Sequence, residues 1–567
     1  MDTLRTVIPI NLYFQIIICS IVIFVSALAE TLGLSMVMPL LASLLGEGDA
    51  GVIAETLEVI FGESLTLNSI LLILVAMFFL KFILGVLKNY MMYGFEWQIR
   101  AHWMSQIYQY NTLREYQSFE KTRPGIITNE IINETTKAAS ALRQILEFIG
   151  QGALIIGLLT VILISNLLYS SVFLLIALIF VIIVRFTIMK KVNIYGVLRQ
   201  NTEGEIYHEV NEMIHGMKTI RFLELESFLF KRFKPRLQGL VGLMRKNETL
   251  RRLPSLMIEI IFVVLFAIGL LIASSSSDFD IVTLLPFIGM LALISVKLFT
   301  NIGTVVANIT AIVNLWVSVE TISNLIENAD SLDQIEKDKK LIEKNVFEHS
   351  VVFKQVSFFY DEGVPILDKL DASFNKGTFN VITGVSGSGK STLSKILIGL
   401  YKPKSGSVII DDVDIGEISP ISLRSFIGYV DQEHFFLNGT ILENLKHKLS
   451  DISDEKIQEA IKITNAEKFI KDMPDGLNTV IGDKGDFLST GQKARLAFAR
   501  ALLMDPQILI LDEITSSLDK KSSDYIIQTL CELKKKITII AISHDPLVIE
   551  QAENLFELNK LGLKKIN

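Results

Sequence analysis

The apolar positions of this chain fall into long runs over its first 320 residues and into short, spaced ones after that. The long runs cover about 12–43, 67–95, 139–165, 171–189, 254–274 and 281–314. Each meets or approaches the roughly 20 apolar residues that a helix needs to cross a bilayer core. The longest imply tilt, or helices that continue beyond the membrane. Arg143 and Glu147 sit near the start of 139–165, so that part reads as the cytosolic end of a long helix. The first run is too long for a cleaved signal peptide, has only Arg5 ahead of it and lacks a small-residue cleavage site. It is kept as the first of six membrane helices.

Between the runs lie two long polar stretches, both with helical character. In 96–138, Trp97, Tyr108, Tyr110 and Tyr116 scatter among charges; in 200–250, Ile206, Val210, Met213 and Ile214 recur at helical spacing. The expected picture is membrane helices extended far into the cytosol. Gly125 and Gly216 punctuate these stretches. Segments near 114–121 and 222–230 are the expected turning points that touch a partner domain. A charged connector follows, with Ile322, Leu325 and Leu332 at helical spacing. The expected division is 1–320 for the membrane domain, 321–348 for the linker and 349–567 for an α/β domain.

Composition sharpens this. Half of the 567 residues are hydrophobic and 20% are charged, against about 25% in soluble proteins. Mean hydropathy is +0.45. A disordered or fibrous chain is excluded, and the balance argues against a purely soluble enzyme. The net charge of −7 gives no reason to expect nucleic acid as a partner. Cys19 and Cys531 make neither a disulfide framework nor a metal cluster. Lys and Arg fix the orientation. Residues 6–80 hold none, whereas 190–252 hold thirteen, including Lys190, Lys191, Lys231, Arg232, Arg251 and Arg252. The positive-inside rule puts that stretch, the loop 96–138 and both termini in the cytosol.

The second half carries recognisable chemistry. Residues 379–383 form a short apolar strand that runs into Gly384-Val385-Ser386-Gly387-Ser388-Gly389-Lys390-Ser391-Thr392 and then a periodic helix. This is a phosphate-binding loop in its strand–loop–helix context. Glycines let successive N–H groups point at phosphate oxygens, and the helix N-terminus adds its dipole. Lys390 is expected at the β/γ-phosphates and Ser391 at Mg²⁺. Downstream, the strand Ile508–Leu511 ends in Asp512-Glu513. A carboxylate there suits Mg²⁺, and the next one can polarise an attacking water.

Residues 488–492, Leu488-Ser489-Thr490-Gly491-Gln492, resemble the signature motif of ATP-binding cassette proteins, with Thr490 where Gly is usual. The resemblance covers about 349–567 closely, and it implies further roles. Tyr360 matches the aromatic that stacks on adenine. Gln432 matches the Q-loop glutamine, placed at Mg²⁺ and in catalysis. Asp519 matches the D-loop aspartate and His544 the switch histidine. Residues 479–485 resemble a loop specific to exporters. The implied fold is a six-helix exporter membrane domain followed by an α/β P-loop ATPase domain, with ATP and Mg²⁺ as cofactors. In that family the signature caps the ATP held by a second subunit. One chain has one P-loop and one signature, so a second half-transporter is implied. Intact Glu513 and His544 favour a homodimer. Asp431 stands where Pro is common before the glutamine, and nothing in the sequence accounts for it.

The cargo is less legible. Glu30, Lys81, Glu259 and Lys297 lie within or near the predicted spans, where ionisable groups are costly and functional. The two lysines suit an anionic group such as a pyrophosphate; alternatively, these residues pair with one another. Residues 29–40 resemble the first helix of lipid-linked oligosaccharide flippases. That favours a lipid-linked glycan or a lipid, moved in a bacterial inner membrane. Peptide or bacteriocin exporters and multidrug exporters share the architecture. A reading of another class is an ATPase whose membrane domain regulates without net transport.

Overall fold

The computed structural model describes residues 6–45, 66–122, 124–165, 190–274, 281–338, 341–360, 365–446, 452–516, 518–534, 536–559 and 562–566. It divides into two units. One comprises Met1–Leu113 and Arg123–Leu332; the other comprises Arg114–Thr122 and Asp333–Asn567.

The first unit is built of long helices. Ile10–Ser35 stops short and Val37–Leu45 continues beyond Met36. Pro39 has no N–H to offer the Ser35 carbonyl, which breaks the ladder there. Leu67–Leu113 runs 47 residues, about 70 Å at 1.5 Å per residue. That is more than twice a bilayer core of about 30 Å, so the helix extends well past the apolar run 67–95. Thr135–Ser165 contains the run 139–165, and Ile281–Asp338 continues without a break through the charged connector. Among the described residues, four segments are long and apolar enough to cross a membrane: Ile10–Leu45, Leu67–Leu113, Gly125–Ser165 and Leu285–Ala329. The run 254–274 lies in the helix Glu226–Ser274. The run 171–189 falls outside the described residues.

Lys190–Phe222 and Glu226–Ser274 form a helical hairpin that turns at 223–225. Glu209, almost wholly buried, ties it together through Arg232 at 2.5 Å and Arg236 at 3.3 Å. One apolar core of this unit gathers Met92, Phe95, Ile99, Trp103, Leu142 and Ile322. Trp103 is fully buried, and its indole N–H donates to the Val7 carbonyl at 2.7 Å.

The second unit has two sheets. Strands β1 (Ser350–Phe358), β2 (Leu367–Asn375), β4 (Ser405–Ile410) and β5 (Val413–Asp414) form an antiparallel sheet in the order β2-β1-β4-β5. Strands β3 (Phe379–Thr383), β6 (Ile427–Val430), β7 (Ile508–Asp512), β8 (Thr538–Ile542), β9 (Asn554–Asn559) and β10 (Gly562–Lys565) form the second, in the order β10-β9-β3-β8-β7-β6. Strands β9, β3, β8, β7 and β6 pair in parallel. Strands β7 and β8 are buried at every residue, as a sheet covered on both faces requires. Residues that follow β3, β6, β7 and β8 therefore emerge at one edge, where open α/β sheets hold their ligands.

Candidate functional site

The loop after β3 has the geometry of an anion cradle. Gly389, at φ +99°, leads into the helix Lys390–Leu397, and a Cβ there would lie 2.9 Å from Leu367. Only glycine fits that backbone and that space. A Cβ on Gly384 would collide with the Leu558 carbonyl. Val385 stands exposed on the loop between them. The Lys390 ammonium folds back over the loop and donates to the carbonyls of Gly384 at 2.7 Å and Val385 at 3.2 Å. Ser388 is buried, and its hydroxyl has no protein partner. An orphaned hydroxyl on this glycine-rich loop fits a phosphate oxygen.

Asp512, at the end of β7, is 2% exposed. Burial, with Asp431 and Glu513 nearby, pushes its carboxyl up to about 6, although a hydrogen bond from Ser391 and the charge of Lys390 pull the other way. A carboxylate crowded by two others fits a divalent cation. Glu513 is the next residue, in left-handed backbone at φ +49°. Gln432, two residues past the end of β6, donates from Nε2 to Glu513 Oε2 at 2.9 Å. The parallel pairing of Val430 with Leu511 brings these loops together. His544 sits two residues past β8, exposed, with Nδ1 3.5 Å from the Thr383 hydroxyl. The structure thus gathers Lys390, Ser391, Gln432, Asp512 and Glu513, with His544 across from the end of β3.

Tyr360 follows β1. Its hydroxyl is 3.2 Å from Thr392 Oγ1, and its ring meets Phe358 and Tyr401 edge-on. Ser489 is the N-cap of the helix Thr490–Leu502. Its hydroxyl accepts from the Gln492 amide at 3.3 Å, and its own amide donates to Gln492 Oε1 at 2.8 Å. This reciprocal capping box holds Thr490 and Gly491 in the first turn, with Leu488 buried just before it. Asp519 caps Lys520–Leu533; hydrogen bonds from Ser522, 2.7 Å from its hydroxyl, keep the Asp519 carboxyl below its usual range.

The sequence model of the ABC transporter family matches residues 367–516, and that of the ABC transporter transmembrane region matches residues 14–324. The chain is an ABC transporter. The transporter is 27% identical to the ATP-dependent lipid A-core flippase of Escherichia coli, over 95% of this chain and 90% of that protein. It is 40% identical to the chloroplastic ABC transporter B family member 29 of Arabidopsis thaliana, over 37% of this chain and 34% of that one. Its fold is shared with a bacterial Atm1-family ABC exporter solved with ATP bound, at a TM-score of 0.74 and 22% identity, covering 97% and 94% of the two chains. It is a multi-pass membrane protein of exporter architecture, an ATP-driven exporter in which ATP hydrolysis is coupled to transport.

In the transporter's membrane unit, Glu30, Lys81 and Lys297 pair. Lys81 lies 2.8 Å and Lys297 2.5 Å from the same oxygen of Glu30. Three helices contribute one residue each. Glu259 lies in the helix Glu226–Ser274, and its side chain is outside the described residues.

A cluster that the sequence did not single out surrounds the short helix Tyr116–Lys121. Lys395, on the P-loop helix, is 2.8 Å from Glu120 and lies over the rings of Tyr116 and Tyr401. The Tyr401 hydroxyl donates to Glu120, and its ring stacks on Phe358 at 5.0 Å. Burial works against the Lys395 charge, yet Glu120 outweighs it and holds the ammonium above its usual range. Spacing alone could not find this cluster, because its members lie some 280 positions apart in the chain.

Proposed function

We propose that this exporter moves an amphiphile with an anionic head, a lipid-linked glycan or a lipid, across a bacterial inner membrane. The observation that carries the reading is the Glu30–Lys81–Lys297 cluster. Two ammonium groups share one carboxylate, so the cluster holds one net positive charge at membrane depth. The lysine side chains are 32% and 36% exposed, the glutamate 12%. The cations therefore remain within reach of a ligand while the counter-ion sits behind them. An unbalanced charge is costly in a bilayer, and an anionic head group offsets that cost. The lipid-flipping relative, aligned over nearly the whole chain, supports the same class.

ATP and Mg²⁺ are read into the site as follows. The loop Gly384–Gly389 with Ser386, Gly387 and Ser388 holds phosphates, Lys390 contributes charge, and Tyr360 takes the adenine. Ser391, Asp512 and Gln432 hold the cation, which when bound neutralises charge on the transferred phosphoryl group. Glu513 would orient the attacking water, and His544 would serve as the switch histidine. The signature residues Leu488–Gln492 serve the nucleotide of a second copy, and Asp519 lies at that same interface. A homodimer follows, with both ATPase domains on the cytosolic side. Differential binding of ATP and ADP drives the change of state. The segments 114–121 and 222–230 carry it to the membrane helices.

The test is ATP hydrolysis by the purified protein in lipid vesicles, with a panel of polyprenyl-pyrophosphate glycans, peptides and hydrophobic cations. The anionic lipid class alone is expected to stimulate, and Glu513→Gln to abolish the response. Stimulation by peptides or cations instead would assign the cargo to one of those classes.

A further inference from the structure

We propose that Asp431 is a positioning residue that sets Gln432 against Glu513. The claim rests on the reading above, in which Gln432 and Glu513 serve the ATP site.

Asp431 leaves the end of β6 and makes the bonds that define the next residue. Its Oδ1 accepts from the Gln432 amide at 2.8 Å and from the Tyr429 hydroxyl at 3.2 Å. Tyr429 is held in β6, where it pairs with Ile510 of β7. The contacts form one chain of hydrogen bonds, from Tyr429 to Asp431, Gln432 and Glu513.

A proline at this position would fix the entry to Gln432 by restricting one dihedral. Aspartate leaves that dihedral free. One carboxylate oxygen instead clamps the following amide to a tyrosine already anchored in β6. The departure from Pro is thereby explained as a substitution of hydrogen bonds for covalent stiffness. The arrangement carries an electrostatic cost. A third carboxylate beside Asp512 and Glu513 is unfavourable without a cation, and the bonds to Tyr429 and Gln432 offset it. The useful property of Asp431 is thus its acceptor oxygen and not its charge.

That distinction sets the experiment. The full-length transporter in lipid nanodiscs is assayed for kcat and KM for MgATP, with the thermal midpoint as a check of folding. Asp431→Ala is expected to lower kcat about tenfold, with KM changed by no more than about twofold, as loss of a positioning contact should. Asp431→Asn keeps the acceptor and is expected to stay within about threefold of wild type. Tyr429→Phe removes one of the two donors; it reports the same role with less disturbance should Asp431→Ala fail to fold. In a Gln432→Ala background, Asp431→Ala is expected to cause no further loss, because it acts through the missing side chain. Wild-type kcat in folded Asp431→Ala would overturn the proposal. So would an Asp431→Asn variant as slow as Ala, or losses that multiply in the double variant. Wild-type turnover in Gln432→Ala alone is a different result: it removes the role read for Gln432, and that of Asp431 with it.

Discussion

Gln432 Nε2 donates to Glu513 Oε2 at 2.9 Å, and Glu513 holds this position in left-handed backbone at φ +49°. A non-glycine residue in that conformation costs about 1–2 kcal/mol. The local bonds maintain it: the Glu513 amide donates to Ile542 at 2.9 Å, and its carbonyl accepts from the Ser516 hydroxyl at 2.8 Å. The strain turns the side chain toward Gln432. Glu513→Gly is therefore expected to raise stability by about 1 kcal/mol while abolishing ATP turnover. Thermal unfolding and hydrolysis measured on one preparation check both halves. A destabilised glycine variant would show that the strain is absent.

The helix Tyr116–Lys121 is fixed by Glu120, which receives both the Lys395 ammonium and the Tyr401 hydroxyl. Tyr401 also touches Tyr360 edge-on, so the residue read at the adenine is two ring contacts from Tyr116. Glu120→Ala leaves Lys395 half-buried without its counter-ion. Exchange of the backbone amides of 116–121 is expected to speed up about tenfold, for a lost charged hydrogen bond. Basal ATPase activity should persist while its stimulation by cargo falls. Unchanged exchange in 116–121 would mean that Glu120 does not hold the segment.

Much of this was legible in the chain because it is local. The P-loop, the signature and the strand that ends in Asp512-Glu513 are contiguous, and their backbone geometry follows from residue type. The long helices are equally local: 67–113 stays helical because no proline interrupts it, although its apolar run ends near 95. What stayed hidden depends on strand neighbours. Nothing near Gln432 says that β6 lies beside β7, so its bond to Glu513 needed the sheet order. The same holds for Glu30. The sequence left open whether the lysines pair or face a cavity, and the structure pairs both with one carboxylate.

Asp512 makes stability depend on pH. Its carboxyl titrates near 6 in the folded protein, against 3.8 for the free residue. A raised acid binds its proton more tightly when folded, so ionising it opposes folding. The penalty is complete above pH 6 and fades as pH falls toward 4. In nucleotide-free protein with chelator, Asp512→Asn is expected to stabilise by about 2–3 kcal/mol at pH 7.5 and progressively less below pH 6. Thermal midpoints across that range test it. A gain that grows on acidification would have the wrong sign.

Substitutions at Glu30, Lys81 and Lys297 should not be equivalent, because the cluster has two cations and one anion. Glu30→Gln leaves two ammonium groups facing each other without a counter-ion. Glu30 is nearly buried between them, so loss of its charge should lower the thermal midpoint. Lys297→Met removes the surplus cation and leaves a neutral Glu30–Lys81 pair. Stability should change little, since the remaining pair is complete, whereas stimulation of ATPase activity by an anionic lipid should be lost. Lys81→Met should resemble Lys297→Met for the same reason. A cluster that only held three helices together would behave differently: each lysine substitution would lower the midpoint and leave stimulation intact. Midpoint and stimulation measured together on the three variants separate a binding site for an anion from a structural tie.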